Sequence, residues 1–263
     1  MKLGLGLSLT GMQRRRDTLA FTPDALFANG EQGVWLDPSD LTTLYQDSAG
    51  TTPVTADGDP VGRIEDKSGN GNHATQNTAA ARPLYRTDGT LHWLEFDGVD
   101  DEMSTASFIT VGAGFYAAHG FNVLQEGGNA SSGNTFGSIG STDRSSIGWR
   151  SSGTYAYGTE VRVGSGAIYR EDFGVPGGTG SFGTNFVGEG WHDQVNLSVR
   201  LSNGRSGSRE AITSDTSGLR DLTLANDSNY RFYGGVYVDG IPPSGSVRDQ
   251  VQEYFAGKSG VTL

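Results

Sequence analysis

Asp66-Lys67-Ser68-Gly69-Asn70-Gly71-Asn72-His73 is the stretch on which the fold is most legible. Two glycines flanking one asparagine permit positive φ, and Asp and Asn side chains satisfy backbone amides in a bend, so the segment is a tight turn. His73 closes it and is expected to brace the turn through a hydrogen bond. Upstream stands Gly33-Val34-Trp35-Leu36-Asp37-Pro38-Ser39-Asp40-Leu41, an apolar strand running into an Asp-Pro turn. Pro23-Asp24-Ala25-Leu26-Phe27 and Asp37-Pro38-Ser39-Asp40-Leu41 have the form of short helical turns, each with an Asp cap and proline at the first position. Downstream, Leu94-Glu95-Phe96-Asp97-Gly98-Val99-Asp100-Asp101 puts Leu94 and Phe96 inward and ends in an acidic turn at Gly98.

The rest of the chain repeats this strand-and-turn style. Glycine supplies 41 of 263 residues, roughly twice its ordinary share. Each glycine in a helix interior costs about 1 kcal/mol relative to alanine, which disfavours a helical protein. Twelve Phe, ten Tyr and four Trp are enough to build a core. Apolar or alternating stretches recur at 91–96, 115–123, 135–139, 146–149, 155–163, 167–173, 182–187, 194–201, 222–224 and 230–238, separated by Gly/Asn/Ser turns. That pattern predicts an all-β sandwich or barrel. One helix is expected, at the end of the chain. Ser246 is placed to cap it, Val247, Val251, Tyr254 and Phe255 form its apolar stripe, and Gly257 is placed to stop it.

Charge and composition narrow the functions. A net charge of −11 repels nucleic acid and anionic membrane. The absence of cysteine excludes disulfides, zinc thiolates and thiol nucleophiles. No apolar run approaches the roughly 18–20 residues of a membrane helix. The first twenty residues differ from the rest: Leu3, Leu5, Leu7 and Leu9 alternate with small residues, and Arg14, Arg15 and Arg16 follow. Arginines where a small-residue cleavage site belongs argue against a secretory leader. The segment reads either as a frayed terminus or as an arm, residues 1–20, that adds a strand to a neighbour and pairs its arginines with acidic surface. Residues 21–263 read as one domain.

Together the 33–40, 66–74 and 94–101 segments resemble the concanavalin A-like, laminin G-type jelly-roll domains. With the C-terminal helix and its Lys258-Ser259-Gly260-Val261-Thr262-Leu263 ending, they are most similar to versions encoded by tailed bacteriophages and prophages. The resemblance spans about residues 24–263 and is specific over 24–101 and 230–263. It implies two antiparallel sheets packed as a jelly roll, often binding glycans. It also implies a virion protein, a fibre, spike or surface decoration, made in the host cytoplasm and displayed on the particle. Other virion proteins would then be the arm's partners and a homo-oligomer the expected assembly. A glycan-binding adhesin that recognises the host and a glycan-degrading enzyme are the alternatives.

The candidate residues follow from those readings. Glu95, Asp97 and Asp100 approximate an E-x-D-x-x-E hydrolase pattern, but they coincide with the framework turn, and the last acid follows glycine. No G-x-S-x-G elbow and no zinc spacing occurs, and no catalytic residue is assigned. No cofactor is expected beyond a structural calcium ion, a hard cation that takes carboxylate and carbonyl oxygens. Its candidate ligands are Asp66, Asn70, Asp97, Asp100, Asp101 and Asp239. For glycan stacking the candidate rings are Trp149, Tyr155, Tyr157, Tyr169 and Trp191, whereas Trp35 and Trp93 belong to the framework.

Overall fold

The computed structural model describes residues 20–110, 114–125, 133–138, 145–150, 158–163, 167–172, 183–193, 196–202, 206–210, 219–226, 229–240 and 242–263. The first strands are β1 (Gly33–Leu36), β2 (Leu44–Tyr45), β3 (Arg63–Ile64), β4 (Ala74–Thr75), β5 (Leu84–Thr87), β6 (His92–Asp97), β7 (Met103–Ser104) and β8 (Ile109–Thr110). There follow β9 (Phe115–Gln125), β10 (Gly133–Ser138), β11 (Ser145–Arg150), β12 (Gly158–Val163) and β13 (Ala167–Asp172). The last are β14 (Asn185–His192), β15 (Asn196–Leu201), β16 (Ser206–Glu210), β17 (Leu219–Arg220), β18 (Thr223–Asn226) and β19 (Asn229–Asp239), before helix α1 (Gly245–Ser259). The anchor residues Leu3, Leu5, Leu7, Leu9, Arg14, Arg15 and Arg16 lie outside the described residues.

Two antiparallel sheets make the jelly-roll sandwich the sequence predicts. One runs β16-β15-β14-β9-β19-β6-β5, with β1 also on β19; the other runs β13-β12-β11-β10-β18-β7-β4-β3-β2. β19 organises the first sheet. Its 11 residues take β9 along one edge, while β6 and β1 share the other edge end to end. The sheet is buried on both faces, which explains its unbroken apolar runs. Val34, Leu36, Phe115, Ala117, Phe232 and Tyr237 point into the inter-sheet core. Trp35, Tyr116, Ala118, Val236 and Val238 point the other way, beneath Val251 and Phe255 of α1.

The tight turn clamps β1. The Asp66 carboxylate accepts from the Trp35 amide at 2.9 Å, the Ser68 amide at 2.8 Å, the Ser68 hydroxyl at 2.7 Å and the Asn72 amide at 2.9 Å. Asn70 and Asn72 donate to the Gly33 carbonyl at 3.2 and 2.8 Å, and His73 Nδ1 accepts from the Asp66 amide at 3.0 Å. Gly69 and Gly71 have φ of 90° and 77°, as the turn requires.

Local details differ from the sequence reading. Pro23–Phe27 is a 3-10 turn with Thr22 in the cap position, and the second turn begins at Leu41, with Asp40 as its cap. Asp37 instead folds its own carboxylate onto the Ser39 amide and hydroxyl. Helix α1 starts two residues early, with Ser244 rather than Ser246 in the cap position, and runs through Gly257 to Ser259. Its end is Gly260, at φ 68° in the left-handed conformation, because Phe255, Ala256 and Ser259 keep the last turn buried. The short strands β2, β3, β4 and β7 carry no readable period; each is held by its neighbours in the sheet.

Asp37, 3% exposed, joins β1 to both distant motifs. Lys258 Nζ donates to it at 3.0 Å, Lys67 Nζ at 3.3 Å and the Tyr254 hydroxyl at 3.2 Å. Burial alone would raise this carboxyl, but the Ser39 hydroxyl, Lys258 and Lys67 outweigh it and hold it below its ordinary 3.8. A depressed value means the stabilisation is present above the unfolded value and drains away as pH falls below it. Asp37→Ala leaves two lysines facing each other with reduced solvation. It is expected to destabilise the fold by about 3 kcal/mol, lowering the thermal midpoint by about 6–12 °C. The difference from the native chain should shrink in acid, below about pH 4. An equal midpoint at neutral pH would remove this contact from the framework.

Candidate functional site

The six predicted metal ligands separate into distinct places. Asp66 has both oxygens occupied by protein donors, and the Asn70 amide nitrogen donates to the Glu31 and Gly33 carbonyls, so this pair is a turn clamp and not an ion site. Asp239 stands beside Phe115 at the far end of β19, ten residues from Asn229, which pairs with Asp97. That interval is on the order of 30 Å at about 3.3 Å per strand residue, too far for one shell.

Asp97, Asp100 and Asp101 do converge, with one oxygen from each within 4.8 Å of the others. The bend after β6 creates the group: Asp97 Oδ1 accepts from the Val99 amide at 2.8 Å, and Asp101 Oδ2 from the Asp97 amide at 3.0 Å. The remaining oxygens suit a hard cation in chemical type. Asp101 is 7% exposed. Burial pushes its carboxyl up to about 6, and the charges of Asp97 and Asp100 add to the rise.

Of the hydrolase-like acids, Asp97 and Asp100 belong to this acidic bend, and Glu95 is engaged in the framework. Glu95 accepts from Arg231 Nε at 3.0 Å and from the Trp93 indole at 3.3 Å. Trp93 is itself covered by Arg231, 4.7 Å from its ring, and by Tyr233 at 5.8 Å. A further acid with no sequence signal, Glu189, is 0% exposed beneath α1. Burial raises its carboxyl, opposed by Arg200 at 2.8 Å and the Tyr116 hydroxyl at 3.0 Å. Arg200 also reaches Asp249 of α1, so this group ties the helix to β14 and β15. His119 stacks on Phe121 and Phe136, and burial pushes its imidazole down to about 3. It packs as a neutral ring.

Of the predicted glycan rings, Tyr155 and Tyr157 lie outside the described residues, and Trp149 and Tyr169 are described only as positions in β11 and β13. Trp191 is half-buried, and its ring is covered by the Arg248 guanidinium at 4.3 Å. That cover makes it part of the α1 packing layer and leaves it a poor open platform.

A cleft of about 500 Å³ opens elsewhere, lined by residues 183–186, Ser202 and 260–262. Three separate segments build it: the start of β14, the end of β15 and the chain just past α1. Asn185 fixes its floor, donating to the Ser259 carbonyl at 2.6 Å and accepting from Asn122 at 2.7 Å and Tyr233 at 3.0 Å. Phe186 is half-buried against the core. The Val261 amide bonds back to the Ala256 carbonyl at 2.9 Å and so sets the third wall. Residues 183–186 and Ser202 stand in no sequence motif, residues 260–262 belong to the C-terminal ending, and only the assembled fold brings the three segments together.

No protein family and no curated protein matches the chain by sequence. Solved structures do match by fold. The binding domain of Paraclostridial Mosquitocidal Protein 1 gives a TM-score of 0.54 at 10% identity, over 75% of this chain and 51% of that one. Trypanosoma rangeli sialidase, in complex with 2,3-difluoro-KDN, gives 0.54 at 10% identity, over 89% and 34%. The botulinum neurotoxin serotype G binding domain gives 0.53 at 8% identity, over 73% and 48%. The chain thus spans about half the length of the toxin domains and about a third of the sialidase. The likeness supports the two-sheet, antiparallel jelly-roll fold.

Because the folded chain disfavours ionised Asp101, its stabilisation is complete below the unfolded value of 3.8 and is lost as pH rises through about 6. Asp101→Asn keeps the acceptor for the Asp97 amide and removes the charge. It is expected to raise stability by about 2 kcal/mol near pH 7.5 and to change little near pH 4, read from thermal melts. Millimolar calcium should lift the native midpoint and leave the variant's alone if the cluster holds a cation. A native midpoint indifferent to both calcium and chelator excludes the ion.

Proposed function

We propose that this chain is a non-catalytic recognition module that binds cell-surface glycan through its lectin-like sandwich. The observation that carries this reading is how the acids are used. Glu95 is held by Arg231 and Trp93, Glu189 by Arg200 and Tyr116, and Asp66 by four donors. Glycoside hydrolysis needs an acid and a carboxylate facing one sugar from two sides. The described cleft lining supplies neither. The toxin relatives in fold are binding domains by name, which supports recognition. Glycan degradation is the second reading, favoured by the sandwich shared with the sialidases.

For its setting we propose a phage or phage-like particle, with the jelly roll displayed as a fibre, spike or surface decoration and probed as a homo-oligomer. Residues 1–20 would dock into other virion proteins. The support is in the sequence: the three framework motifs, the alternating leucines, and a cysteine-free acidic body suited to assembly in a reducing cytoplasm.

On a glycan array the full chain is expected to bind, and incubation with surface polysaccharide should release no reducing ends. Release that disappears in Glu95→Gln would put the hydrolase in place of the binding module. Deleting residues 1–20 should leave a folded, glycan-binding domain that no longer enters particles. Undiminished incorporation would dispose of the arm.

A further inference from the structure

We infer that the cleft between β14, Ser202 and the residues after α1 is a binding site for an uncharged sugar. The inference rests on the glycan-binding reading and adds to it a place and a ligand class. The volume of about 500 Å³ lies within the range of small-molecule sites. The lining pairs apolar surface, Phe186 and Val261, with the hydroxyls of Thr184, Ser202 and Thr262. A sugar presents the same combination, a C–H face beside a rim of hydroxyls.

The hydrogen-bond inventory leaves the right groups free. Asn185 has its amide nitrogen and oxygen committed to Ser259, Asn122 and Tyr233, so it holds the floor rigid. Ser202 Oγ accepts from the Val187 amide at 3.1 Å, which fixes the oxygen and leaves its proton to donate. Thr184 and Thr262 are exposed, and among the described residues their hydroxyls have no partner. Three hydroxyls around one half-buried ring can each donate to and accept from a polyol. A ligand that binds there needs no rearrangement of the floor.

Charge selects among sugars. No lining residue carries a charge, so a carboxylate or sulfate on the ligand would lose water without gaining a cation. The chain's net charge of −11 adds a long-range penalty against anions. The cleft therefore takes a neutral hexose or a neutral terminal residue of a longer glycan. An acidic sugar is disfavoured.

The test is an NMR titration of the full chain with methyl α-D-glucoside, methyl α-D-mannoside, methyl β-D-galactoside and N-acetylneuraminic acid. At least one neutral glycoside should shift the amide signals of residues 183–186, Ser202 and 260–262 saturably, while N-acetylneuraminic acid leaves them in place. Thr184→Val with Thr262→Val, both at exposed positions, should weaken that binding about tenfold without moving the thermal midpoint. Shifts confined to other residues, equal response to the acidic sugar, or unchanged affinity in the double variant would each overturn the site. A glycan array positive for the native chain and equally positive for the double variant would discard the cleft and keep the binding module. Silence of the native chain in both assays would discard both.

Discussion

A single buried carboxylate, Asp37, holds together segments from both ends of the chain. It accepts from Lys67 in the tight turn and from Lys258 and Tyr254 in α1, while sitting directly after β1. Removing a carboxylate from water is unfavourable unless its oxygens find donors, and here four side chains supply them. Their requirement sets the angle at which α1 meets the sheet. Trp35, one position before Leu36, fills the space beneath, with Lys67 4.6 Å above its ring and Tyr254 edge-on at 6.1 Å. Charge and packing thus fix the same three elements from two sides.

That junction explains why the first sheet has two buried faces. With α1 pinned, alternate residues of β1, β9 and β19 meet either the opposing sheet or the helix, and apolar side chains suit both. The second ion-paired group, Glu189 with Arg200 and Asp249, pins the other flank of the same helix to β14 and β15. Two polar anchors separated along α1 fix its rotation about its own axis, which a purely apolar stripe would leave freer. The arrangement also accounts for the covered Trp191, whose ring lies under Arg248, the neighbour of Asp249.

The framework was legible in the sequence because its motifs act locally. The glycine spacing at 69 and 71 demands a turn, and Leu94 and Phe96 alternate as a strand must. What those side chains do at longer range was not legible. Asp66 offers the same oxygens to a calcium ion or to backbone amides, and only the approach of β1 decides for the amides. Asp239 and Asp97 offer the same carboxylate oxygens to an ion, yet the register along β19 carries them to opposite ends. Any glycine can stop a helix, so Gly257 reads as the end of α1; the burial of Ser259, about half a turn later, carries the helix on to Gly260. Nothing in the spacing of Thr184, Ser202 and Thr262 announces a cleft, because ordinary residues from three segments make it.

The cleft nevertheless inherits its shape from the motifs. Its third wall is the chain immediately after α1, and the position of that wall depends on where the helix ends. Asn185 takes the Ser259 carbonyl, so the last helical turn is bonded directly to the cleft floor. Lys258, the neighbour of Ser259, is the residue that reaches Asp37. A displacement of the helix at the Asp37 junction is therefore transmitted within one residue to the floor and within four to the wall. The acids of the framework do not need to touch a ligand to govern how one is held. They set the separation of the walls, and the uncharged surface between those walls is left to recognise what enters.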